Sequence, residues 1–469
     1  MRAQLRWRKK TVCAAGALLL CSALFNAPEG RAGNKVKLHG YITARQDENT
    51  LLILDDRLEI TSASMIQAQD PSGEHPYEFA DITVGMLVEA EGQWLDRHKF
   101  FAEKITVDLR EDEKKLHGSA YLQEDPEDAP QIAKGQGGEV QADGYWLDLS
   151  TTTKREWVPD KVAGSNAAAN AKPAADANLA AFRVKYLGVR RDDGRVDTSQ
   201  IELGPPAPAE AYKLPHDLSI MPANDPQTGI AILEVKQGKK VVGRMKLLAE
   251  RSVQEYVAHL GDSLLPPAAQ RTSWPIEFRF FVVEDPDINA ASLPDGTTLV
   301  NTGLLGAVQN ESQLAFVLSH EISHVLQTHY KREQDETRGA RVGLLIAGIA
   351  AGAFVGNVGL FLAELGIASV VNGHERDLEN QADRLGLQNV IERGYDPREG
   401  PNFSRLVINR YGDRSTSKLW SSHENSLYRG SFLTIQLARV YPNKDWSNAK
   451  KNTAAFEKMK DELGPVKIM

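Results

Sequence analysis

The segment Ser319-His320-Glu321-Ile322-Ser323-His324 constrains this 469-residue chain more than any other. It reads His-Glu-x-x-His inside a run of helical period, with Leu314, Val317 and Leu318 before it and Ile322, Val325 and Leu326 within and after it. Residues four apart on a helix share a face one turn apart, so His320 and His324 can bring two ring nitrogens to one ion. Zinc is the natural candidate, one ion per chain. Glu321 is placed to take a proton from a metal-bound water without being a ligand itself, which is the chemistry of metal-assisted amide hydrolysis. Asn310 and Gln313 suit an N-cap with its capping-box partner and predict a helix start close to Glu311.

Two histidines leave a tetrahedral ion short of ligands, and a catalytic site takes a third from protein and the fourth from water. His329 stands five positions after His324, about 140° away on a continuous helix, and is a poor ligand. Gln327 also occupies the place where the metzincin pattern requires Gly. Glu379 and Asp383 are better placed. They are four apart on a predicted helix, so one carboxylate can reach the ion while the other holds the far nitrogen of a liganding imidazole. The expected metal site is therefore His320, His324 and Glu379, with Glu321 as base and Asp383 behind.

On these motifs, residues 245 to 430 resemble the M48-type (Ste24-like and BepA-like) zinc metallopeptidases, a gluzincin group with His-Glu-x-x-His followed by Glu-x-x-x-Asp. The resemblance implies an α+β fold, mainly helical, with a small edge-strand sheet. It implies that Asn289-Ala290-Ala291-Ser292-Leu293, ahead of the Pro294-Asp295-Gly296 turn, supplies an edge strand that pairs with substrate backbone. Ala291 stands where the family has Phe, and Asp295 where it has Gly. The resemblance also implies that His423 and Arg429 face the zinc, either polarising the substrate carbonyl and stabilising its oxyanion or, for His423, capping the metal at rest. Glu424 stands where Pro is usual.

Composition bounds the rest. With 42% hydrophobic and 25% charged residues the chain can bury several cores, and a net charge of -8 argues against nucleic acid as a partner. Arg2, Arg6, Arg8, Lys9 and Lys10 precede an apolar run from Val12 to Phe25, and Gly30-Arg31-Ala32 offers small residues for a signal peptidase. Residues 1–32 are read as a cleaved signal peptide, because the run is shorter than the roughly 20 residues of a spanning helix. Both cysteines, Cys13 and Cys21, fall inside it, so the mature protein carries no disulfide and no thiolate ligand. Export together with the family resemblance points to the periplasm, with peripheral membrane association as the alternative.

Between signal and metal motif the chain repeats itself. Lys35-Val36-Lys37-Leu38-His39-Gly40 is echoed by Lys114-Lys115-Leu116-His117-Gly118, and residues 86–92 through 106–108 resemble 182–188 through 201–203. Alternating runs broken by Gly, Asp and Pro predict two small all-β domains, OB-like barrels at 33–112 and 113–205, the second with an Ala-rich loop at 163–181. His39 and His117 are read as structural strand-end residues. Gly204-Pro205-Pro206-Ala207-Pro208 marks a boundary, residues 206–242 a linker, and 243–469 the metallopeptidase domain. There, Leu247, Leu248, Val253, Val257 and Leu260 recur at helical spacing, with Gly261 as a stop. The apolar segment 339–373 fits either a membrane-associated hairpin or packed helices forming a lid; Gly356, Gly359 and Glu364 favour the second, with peripheral lipid contact left open.

The expected activity is that of a zinc endopeptidase of the cell envelope, hydrolysing misfolded or unassembled exported polypeptides, with outer-membrane proteins or their assembly machinery as candidate partners. The rival is a zinc-containing chaperone or assembly factor that binds clients without cutting them.

Overall fold

The computed structural model describes residues 35–109, 114–127, 135–159, 178–270, 274–336, 358–364, 376–411, 426–466 and 468. The expected signal peptide, His423, most of the 163–181 loop and most of segment 339–373 lie outside these residues.

Alternating apolar and polar residues build the N-terminal region as sheets, each with one face turned to a core. In the first, Val36–Tyr41, Leu87–Asp96 and Lys99–Asp108 run antiparallel in turn, and Asp56–Glu59 lies parallel to the last. The second repeats this order: Lys115–Tyr121, Phe182–Arg190 and Val196–Pro206 run antiparallel in turn, with Tyr145–Trp157 parallel to the last. The segments that match in sequence thus hold equivalent strands. Leu51, Leu58, Phe100 and Ile105 fill the first core, and Leu147, Val184, Val196 and Ile201 the second.

Residues 206–242, expected as a linker, are instead largely structured. Leu218–Asn224, Ala231–Gln237 and Lys240–Lys246 form a three-stranded antiparallel sheet. The proline cluster marks only its approach; Ile220, Leu233, Val235, Val242 and Met245 bury its face against Leu293 and Leu299 of the next unit.

The C-terminal unit is mainly helical: α1 (Arg251–Leu264), α2 (Thr302–Ala307), α3 (Glu311–Leu326), α4 (His329–Glu336), α5 (Val358–Glu364), α6 (Arg376–Glu392), α7 (Glu399–Tyr411), α8 (Ser426–Val440) and α9 (Ala454–Leu463). Gly261 does not end α1. It lies inside the helix, where its missing side chain admits the Phe280 ring, and Leu247 and Leu248 precede the helix in extended backbone. A small sheet carries Arg279–Val283 parallel to Thr297–Asn301, which pairs antiparallel with the edge strand Ala290–Ser292 across the Gly296 turn. In α5, the described part of the apolar segment, Val358, Phe361 and Leu362 are buried, and Phe361 packs on Gly243 of the three-stranded sheet. That contact makes this part a packed helix. Among the described residues no helix is long and apolar enough to cross a membrane.

Every residue of α3 is buried, so its polar side chains must find partners inside the protein. It packs along α6, where Gly386 lets the two backbones close to 3.3 Å of the Cβ it lacks. Asn310 caps the first turn by accepting from Gln313 N–H at 3.0 Å. The buried Glu399 carboxylate then accepts from Asn310 at 2.8 Å and Gln313 at 2.9 Å and pairs with Lys451 at 2.8 Å. Burial pushes Glu399 upward, but Lys451, Asn310, Asn402 and Gln313 outweigh it and hold the carboxyl below its usual range. A depressed folded pKa stabilises at neutral pH and ceases to do so as pH falls through that value. Asn310→Ala is expected to cost about 1–2 kcal/mol in denaturant unfolding, and Glu399→Gln to flatten the decline of melting temperature with acid.

Candidate metal centre

His320 and His324 project from one face of α3, and Glu379 faces them from α6. Their ligand atoms lie within 4.8 Å of one another, and all three residues are buried. The two Nε2 atoms are 2.9 Å apart, and a Glu379 oxygen sits 3.5 Å from each. Asp383, one turn beyond Glu379, receives His320 Nδ1 at 2.9 Å. Arg429 Nη2 also lies 3.2 Å from that nitrogen, but the nearer carboxylate oxygen favours the proton on Nδ1 and so leaves the Nε2 lone pair aimed at the cluster. A carboxylate, that lone pair and a second imidazole nitrogen, all withdrawn from water, call for a cation between them, and the donor set suits zinc.

Arg429 reaches the cluster from α8. It is only 2% exposed and lies behind the ligands on α8, donating Nε to Asp383 at 3.0 Å and Nη2 to the other oxygen of that carboxylate. Its Nη1 is 3.9 Å from Glu379. Burial pushes Asp383 up, but the Arg429 charge and the His320 bond overcome this and hold it below the usual carboxylate range. Arg429 thus offsets two buried carboxylates, Asp383 directly and Glu379 at longer range.

Glu321 turns toward the edge strand, where Ser292 N–H donates to its Oε2 at 2.8 Å. In an antiparallel pair alternate residues direct their main-chain groups outward. Leu293 bonds inward to Thr297, so Ser292 faces outward, and its N–H is committed to the carboxylate. Ala290 and Ala291 lie on the same strand, with Asn289 and Leu293 at its ends. His324, Ser292, Leu293, Pro294 and Tyr330 line a narrow cleft beside the site.

His329 is a poor ligand by its spacing, yet it lies beside His324. The helix does not continue to it. Thr328 adopts φ 51°, a left-handed conformation that ends α3 and turns the chain so that His329 Nδ1 comes within 2.9 Å of His324 Nδ1. His329 lies outside the three-residue cluster and contacts it through His324. Gln381, two residues after Glu379, holds its other nitrogen at 3.0 Å. A His five positions after His-Glu-x-x-His signals this only if the helix is known to break between them.

Residues 250–434 match peptidase family M48. The chain is 33% identical over 191 residues to the beta-barrel assembly-enhancing protease of Yersinia pestis, covering 38% of each chain. It is 29% identical over 186 residues to that of Escherichia coli, covering 38% of this chain and 37% of the relative. To the mitochondrial metalloendopeptidase OMA1 of Arabidopsis thaliana it is 27% identical over 167 residues, covering 34% and 31%. The matched stretch spans less than two fifths of these relatives' length. Residues 250–434 are an M48 metallopeptidase domain, and M48 metallopeptidases are zinc-dependent.

Removing one partner from a buried ion pair leaves the other uncompensated. Arg429→Met is therefore expected to cost about 3–5 kcal/mol. Arg405→Met, which breaks a partly exposed pair with Asp55, should cost under about 1 kcal/mol. Denaturant unfolding of the two variants measures the contrast.

Proposed function

We propose that the chain is a zinc endopeptidase of the cell envelope that hydrolyses misfolded or unassembled exported polypeptides. The observation that carries the reading is the position of Glu321. It is buried beside His320, His324 and Glu379, and its carboxylate is tied to the backbone of an edge strand. A binding protein has no evident need for a base at that place.

When bound, zinc would lower the pKa of a water and polarise the scissile carbonyl. The remaining work falls to the protein. Ser292 N–H orients Glu321, which accepts the proton from the attacking water and returns it to the leaving amine. Asp383 keeps His320 in the tautomer that presents Nε2, and Arg429 neutralises the carboxylates behind. The edge strand at Asn289–Leu293 is proposed to align substrate backbone by strand addition. The N-terminal β units, read as OB-like, are proposed to recruit substrates.

The names of the bacterial relatives, enhancers of β-barrel assembly, make outer-membrane polypeptides the first substrates to try. The expected export signal agrees with a periplasmic location. Purified protein incubated with unfolded outer-membrane polypeptides is expected to yield fragments that disappear with a chelator; binding without fragments would favour the chaperone reading. Glu321→Gln should retain zinc and lose about 10²- to 10⁴-fold in hydrolysis. Parental activity in that variant would remove Glu321 from its role.

A further inference from the structure

The second β unit reaches the metal ligands through a chain of buried side chains. Its hairpin between Gly138–Ala142 and Tyr145–Trp157 turns at Asp143-Gly144, with φ 57° and 78°, the left-handed pair of a two-residue Asp-Gly turn. The tip docks on α6. A Cβ on Gly144 would sit 2.6 Å from Arg384 Cβ, and Arg384 donates to Asp143 Oδ1 at 2.6 Å and to its backbone carbonyl at 2.9 Å. Tyr186 O–H donates to the other carboxylate oxygen at 2.8 Å.

From Asp143 the hydrogen bonds run in one direction. Gln381 Nε2 faces two pure acceptors, Asp143 Oδ1 at 2.7 Å and the Ser119 carbonyl at 2.9 Å. Gln381 Oε1 faces Arg332 Nη1, a pure donor, at 2.6 Å and His329 Nε2 at 3.0 Å. The amide orientation is therefore determined from both ends, and His329 Nε2 must carry its hydrogen. In a neutral imidazole this leaves His329 Nδ1 as an acceptor, so the hydrogen of the 2.9 Å contact belongs to His324 Nδ1. His324 Nε2 then presents its lone pair to the metal position.

We infer that Asp143, through Gln381 and His329, is a positioning residue that sets the tautomer and basicity of the metal ligand His324, so that docking of the second β unit completes the zinc site. His320 has its carboxylate partner, Asp383, one bond away. His324 has its own two residues further out, in a different part of the chain. The inference rests on His324 being a zinc ligand.

The test uses the full chain. Nitrogen-15 NMR of the histidine rings is expected to show His329 protonated at Nε2 and His324 at Nδ1; His329 protonated at Nδ1 overturns the inference without any substitution. Zinc affinity is then measured by chelator competition, and the site is read by the visible spectrum of the cobalt-loaded protein. Gln381→Met cuts the relay and is expected to weaken zinc binding by about 10- to 100-fold and to shift the cobalt bands. Gln327→Met cuts a different contact of the same interface, the pair of bonds to the Tyr121 backbone at 2.7 and 3.0 Å, and should leave both readings at the parent's values. The exchange Asp143→Asn with Gln381→Glu moves the carboxylate one link inward, where it still accepts from His329, and should restore most of the affinity. Parental affinity in Gln381→Met, or an equal loss in Gln327→Met, overturns the inference. A parent protein that binds no zinc defeats the proposed peptidase instead, while the ring tautomer of His329 still reports on the relay.

Discussion

A carboxylate and two imidazoles, shut away from water and directed at one point, form the constraint around which the helical unit is built. Burying Glu379 and Asp383 side by side sets like charges in a medium of low dielectric, a cost that must be met locally. Arg429 meets part of it from α8, and a divalent ion at the ligand cluster would meet the rest. The close approach of α3 and α6 at Gly386 follows from the same need, since the carboxylates of one helix must reach the imidazoles of the other.

The base and the strand are coupled in a similar way. Glu321 takes its orientation from the N–H of Ser292, so the edge that would receive a substrate chain also sets the carboxylate that would act on it. A shift of that strand by one residue would turn the donor away and present the opposite side of the pleat. Thr297–Asn301, buried throughout, holds the strand in register from behind.

Much of this was readable from residue spacing. The i, i+4 pairs His320/His324 and Glu379/Asp383 and the cap at Asn310 depend only on helical geometry, which local sequence reports well. The Pro-Asp-Gly turn depends only on local turn chemistry. What escaped depended on events between elements. His329 was misplaced because Thr328 interrupts the helix in a conformation that Thr seldom adopts. The bidentate hold of Arg429 on Asp383 is not written in the motif, because a motif names a residue without saying which way its helix is turned. The strands of 206–242 were hidden behind a proline cluster, and their apolar face is explained only by what covers it, Leu293 and Leu299. Gly261 looked like a helix stop, but Phe280 needed the space.

The first β unit is also fastened to the helices. His39 stacks on Tyr428 with ring centroids 5.1 Å apart, Tyr41 lies against Tyr428 and Phe432, and Tyr41 N–H donates to Ser431 Oγ at 2.9 Å. Tyr428 directly precedes Arg429, so these rings clamp the turn of α8 that supplies the guanidinium. An α8 wedged between an aromatic stack and a buried charge has little freedom to rotate about its axis. Recombination that exchanged the β units for unrelated modules would keep the covalent chain yet lose this clamp, so in lineages carrying this architecture the front and back halves should drift together rather than shuffle independently.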